Sequence, residues 1–161
     1  MKRFFSVLSI AVVSLTGCGS GGDSAAVTTS DLKGTWESRC EYIVEAQISE
    51  KTILEFQSDK FTRKSFVYSD AGCNEQDITD EIHVIYNYTL GEDVTTSDNK
   101  KATKITATIR GFDFIKGNGG EDTPEVGAVE KGIVLIANKK LYRGEDKAPY
   151  QIDYENYLEK K

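Results

Sequence analysis

Histidine occurs once, at His83, and nothing around it in the sequence supplies the partners of a catalytic triad or a zinc site. Cysteine occurs three times, with no Cys-x-x-Cys pair and no His-rich cluster beside any of them. Gly-x-Ser-x-Gly and phosphate-loop patterns are absent. Cations are outnumbered: 20 Lys and Arg stand against 26 Asp and Glu, a net charge of −6. That balance excludes nucleic acid as a partner, because phosphate binding needs a basic surface. No apolar run reaches the roughly 20 residues that a membrane-spanning helix needs. These absences point away from an enzyme, and no cofactor and no metal is expected. Glu121 and Asp122, in Gly119-Gly120-Glu121-Asp122, offer oxygen atoms of the kind calcium takes, but without a fixed ligand spacing they read as a solvated loop.

The N-terminus carries the most specific signal. Met1-Lys2-Arg3 is a short basic stretch, and Phe4 to Thr16 is mostly apolar and too short to span a bilayer. Charge followed by a short apolar run is the pattern of a secretory signal peptide. The run ends Leu15-Thr16-Gly17-Cys18, which resembles the lipobox of bacterial lipoproteins. The resemblance implies lipidation of Cys18, cleavage before it, and anchoring of the protein to a membrane through the N-terminal lipid, since two or more acyl chains hold stably where one does not. It divides the chain into a signal peptide, 1–17, a lipidated Cys with flexible tether, 18–30, and a folded domain, 31–161. Gly19 follows the cysteine, where Asp would favour inner-membrane retention, so the expected address is the bacterial envelope, at the outer rather than the inner membrane. Loss of Lys2 and Arg3 takes the 20 basic residues to 18 against 26 acidic, and the net charge from −6 to −8.

With Cys18 assigned to lipid, Cys40 and Cys73 remain as a pair. An exported compartment permits a disulfide. It would close a loop of about 33 residues and contribute about 3 to 4 kcal/mol through chain entropy. Metal ligation or a catalytic thiol are the alternatives, and neither has supporting neighbours.

Beyond the tether the pattern is β. Trp36, Ser38, Cys40, Tyr42 and Val44 alternate with Thr35, Glu37, Arg39 and Glu41. Further strands are predicted over 51–56, 61–68, 82–90, 102–114, 129–137, 140–143 and 150–154. The segment 91–100 reads as a polar loop, Lys116 to Gly127 as a Gly-rich acidic one, and Asn156 to Lys161 as a charged tail. No helical period and no internal repeat is found. About eight short strands with sequential turns predict an all-β, antiparallel up-and-down barrel, since closure removes the edges of such a sheet.

Leu32-Lys33-Gly34-Thr35-Trp36 at the first strand resembles the Gly-x-Trp motif of lipocalins and related calycins. The resemblance implies a lipocalin-like barrel over about 31–154, with Trp36 plugging its closed end and an Arg packed over it, for which Arg143 is the candidate. Tyr68-Ser69-Asp70-Ala71-Gly72-Cys73 further resembles a segment of bacterial lipoproteins of this type. The mid-chain Thr-Asp-Tyr segment and the late helix of lipocalins proper are missing, so the match is to the barrel at large. Trp36, Tyr42, Phe56, Tyr86 and Tyr88 form the candidate interior face. They admit two readings: a pocket for a small apolar or amphipathic ligand, or a filled core in a barrel that acts as an envelope structural or protein-interaction module.

Overall fold

The computed structural model describes residues 25–117 and 123–161. The expected signal peptide, Cys18, most of the expected tether, and the pair Glu121 and Asp122 lie outside the described residues. A four-residue helix, α1 (Thr29–Leu32), is followed by nine strands: β1 (Gly34–Ser38), β2 (Glu41–Ile43), β3 (Ile48–Phe56), β4 (Lys60–Tyr68), β5 (Ile78–Thr95), β6 (Lys101–Lys116), β7 (Val129–Ala137), β8 (Lys140–Glu145) and β9 (Asp153–Lys160). From β3 to β9 each strand pairs antiparallel with the next. β1 then pairs with both β9 and β3, which closes an eight-stranded up-and-down barrel of the lipocalin-like kind. β2 extends the same edge of β3 beyond the end of β1.

One end of the barrel is sealed by its own residues. Thr28 caps α1 and Asp31 returns its carboxylate to the Thr28 main-chain N–H, a reciprocal pair that satisfies both orphan donors. The turn sets Leu32, fully buried, beneath Trp36, whose indole N–H donates to the Leu32 carbonyl at 2.6 Å. Above them Phe61 stacks on Tyr86 with ring centroids 4.6 Å apart, and Phe56 meets Tyr88 edge-on at 5.4 Å. Offset and edge-on pairs of this kind add stability beyond the area they bury.

Two expectations change here. The tether is already part of the fold by Val27, which is buried and whose main-chain N–H donates to Thr103 Oγ1 at 2.8 Å. The charged tail is β9. Leu158, fully buried, is its inward anchor, while the flanking Tyr157 and Glu159 alternate outward, so a single apolar residue is all that the sequence pattern offers.

The first half of the predicted loop 91–100 is also strand. β5 and β6 run on to Thr95 and Lys101, where Val94 pairs with Ala102. Both join a second apolar cluster with Ile133 and Leu135, covered from outside by Tyr150 and Ile152. Three register shifts along β5 and β6 let this long hairpin coil with the barrel wall.

Candidate functional site

The inward-facing positions follow from the register. On β3 they include Leu54 and Phe56, on β4 Phe61 and Arg63, on β6 Ile105 and Ala107, on β7 Glu130, Gly132 and Val134, and on β8 Leu141 and Arg143. Together they line a recess of about 150 Å³ inside the barrel, above the aromatic layer. This space continues toward the unsealed end. β1 stops at Ser38, and past that point a polar recess of about 630 Å³ opens between β3 and β9, lined by Thr52, Glu50, Asn156 and Asp153 among others. A third recess, of about 700 Å³, lies between β8 and the segment Lys147–Ile152. Arg143 borders all three.

The charged groups of the lumen form a small set. The Arg63 guanidinium lies over the Tyr86 ring, 5.3 Å from its centroid, and its Nη1 is 3.8 Å from Glu130 Oε2. Tyr86 donates its phenol O–H to Glu130 Oε1 at 3.0 Å. Burial, with Glu130 alongside, raises the Tyr86 phenol well above its ordinary pKa, so it stays a donor. Arg63 Nε is shut off from solvent and has no hydrogen-bond partner among the described residues. Arg143 keeps solvent-accessible surface because the lumen is open, yet the surrounding wall and the nearby Arg63 both pull its pKa below the ordinary arginine value. Asp153 lies near Arg143, but its oxygens accept from the main-chain N–H groups of Glu155 and Asn156 and from Asn156 Nδ2.

Four of the five candidate interior residues, Trp36, Phe56, Tyr86 and Tyr88, are buried in the core. Tyr42 is not: it is 44% exposed on β2. The first strand breaks at Arg39 and Cys40, so the alternation that pointed Tyr42 inward ends there, and the chain resumes as β2 with Tyr42 opposite Ser49. Arg143 does not cover Trp36. Along β8 it lies two residues beyond Leu141, which pairs with Leu158, and Leu158 pairs with Ser38 at the end of β1. The cation over the indole is Lys160, 5.1 Å from the ring, with its ammonium also donating to the Asp31 carbonyl at 2.9 Å. Arg63 and Glu130 were missed. Their signal is a charge on the inward parity of a strand, Arg63 in step with Phe61 and Glu130 in step with Gly132 and Val134.

Cys40 and Cys73 are joined as a disulfide, with Cα atoms 5.9 Å apart. It ties the start of β2 to the loop after β4. That loop is further held by Asp70, whose carboxylate accepts from Gly72 N–H and Asn74 Nδ2, and by buried Ser49, which donates to the Asp70 carbonyl at 2.6 Å. His83 faces outward and hydrogen-bonds Glu81 at 2.7 Å. In comparisons with known proteins, no family model matches this chain and no curated protein matches it.

Proposed function

We propose that this chain is a lipid-anchored protein of the bacterial envelope whose barrel takes up a small amphipathic ligand through its unsealed end. One observation carries the reading: the lumen is packed at the Trp36 end and open at the other, with apolar Leu54, Phe61 and Ala107 leading up to the polar Arg63, Glu130 and Arg143. Apolar walls with a few convergent polar groups are the usual make-up of a small-molecule site. The modest volume above the aromatic layer calls for a short or slender apolar part. The N-terminal Leu15-Thr16-Gly17-Cys18 pattern supports the anchor, and the Cys40–Cys73 bridge fits an oxidising compartment. A packed interaction module is the second reading, favoured by the free edge of β2 with exposed Tyr42 and by exposed Val44 in the turn after it.

The test is to purify the full chain from bacterial envelopes, extract it with organic solvent and weigh what co-purifies by mass spectrometry. A near-stoichiometric small compound, lost from an Ala107→Leu variant that fills the recess, is the expected result. The same clean blank from both proteins would overturn the ligand reading. Metabolic palmitate labelling that fails on the wild type, or that persists in Cys18→Ala, would overturn the anchor.

A further inference from the structure

We propose that Arg63 and Arg143 form an oxyanion site inside the barrel, and that the ligand of the lumen is a small amphiphile with a carboxylate or phosphate head. This rests on the ligand-binding reading above and names the head group that reading leaves open.

The two guanidiniums enter one recess from different walls, Arg63 from β4 and Arg143 from β8. Each carries five N–H donors in a planar fork, and neither makes a hydrogen bond among the described residues. Arg63 Nε is both buried and unpartnered. The cations on the outer wall behave differently: Lys64 is bonded to Glu55 at 2.7 Å, Lys104 to Glu92 at 2.9 Å, and Lys51 to Glu37. The carboxylates that could neutralise the lumen pair are already committed. Glu130 accepts from Tyr86 and reaches Arg63 only at 3.8 Å, and Asp153 is held by its own turn. In a protein with net charge −6, Arg63 and Arg143 line the inner recess with Glu130 as the one carboxylate on its wall, and Glu130 is shared between Tyr86 and Arg63. The nearby Arg63 disfavours the Arg143 cation, by an amount that solvent at exposed Arg143 screens, and an anion between the two reverses the sign. Forked guanidiniums suit planar carboxylate and phosphate oxygens, where an ammonium would act only as a point charge. Leu54 and Ala107 lie against the same space and give the ligand's tail an apolar wall.

The experiment is calorimetric titration of the full chain, carried in phosphatidylcholine nanodiscs with empty discs as the blank. The probes are octanoate and its neutral isostere octanamide. Octanoate is expected to bind at least tenfold more tightly. Arg63→Gln and Arg143→Gln should each weaken octanoate at least tenfold and leave octanamide unmoved. Glu130→Gln should tighten octanoate, an opposite sign that a damaged fold would not give. Octyl phosphate in the same series sorts a phosphate head from a carboxylate, and either order upholds the oxyanion site. Equal binding of octanoate and octanamide, unaffected by the arginine variants, would overturn the oxyanion site while leaving a ligand-binding lumen standing. Binding of neither probe to a cooperatively melting chain would overturn both.

Discussion

Arg143 and Lys160 are both cations on the last strands, and the physics assigns them opposite roles. Lys160 sits over the Trp36 ring and donates to the Asp31 carbonyl, so it fastens the sealed end. Lys160→Met, which keeps the stem and loses the charge, is expected to lower stability by about 0.5 to 1 kcal/mol in chemical denaturation. Desolvation by the surrounding wall and the nearby Arg63 disfavour Arg143 as a cation, and Asp153 and Glu130 offset part of that. Because solvent screens these effects at an exposed side chain, Arg143→Gln is expected to leave stability unchanged in chemical denaturation. Asp98 gives a test by pH. Hydrogen bonds from Thr96 and Tyr154, with Lys100 nearby, hold its carboxyl down to about 2. Its folded value is below its unfolded one, so its contribution is present above about pH 4 and is lost as pH falls toward 2. The melting-temperature deficit of Asp98→Asn should be visible at pH 7 and shrink at pH 2.5, and because the side chain is part-exposed the deficit is small.

At the level of elements, closure depends on a strand with little apolar content. Leu158 is the one fully buried side chain of β9 and touches the layer of Trp36 and Leu141. Leu158→Ala should cost about 2 to 5 kcal/mol by denaturant unfolding, far more than the outward Glu159→Ala. The Cys40–Cys73 bridge holds β2 and the loop after β4 to the rim of the lumen. Its removal in Cys40→Ala/Cys73→Ala is expected to cost about 2 to 5 kcal/mol, with the loss read as faster proteolysis between Cys40 and Gln47.

Much of this layer was legible in the sequence. Strict alternation in Ile105, Ala107 and Ile109, and in Tyr86 and Tyr88, located β6 and β5 and their inward faces. Asn138-Lys139, both with positive φ, marked the tight turn of β7 and β8. What was hidden depended on tertiary placement. β9 has one apolar anchor, so its period is invisible without the partner strands. Tyr42 lies beyond the break at Arg39 and Cys40, after which the parity of β1 no longer holds. Arg63 and Glu130 were passed over because a charge on an apolar parity reads as noise until the opposite wall supplies Arg143.

On the scale of the whole molecule, a chain of net charge −6 lines its inner recess with Arg63 and Arg143, and Glu130 is the carboxylate beside them. The sealed end supplies rigidity, with Trp36, Phe61 and Tyr86 packed to leave no room. The unsealed end keeps a space that its own side chains do not fill and donors that its own acceptors do not reach. The most direct measurement is the Nε–Hε signal of Arg63 in an NMR titration of the full chain with octanoate. The account predicts a saturable shift of that signal, together with the methyl signals of Leu54 and Ala107. Shifts confined to Tyr42 on the free edge of β2 and Val44 in the turn after it, or none that saturate, would contradict it.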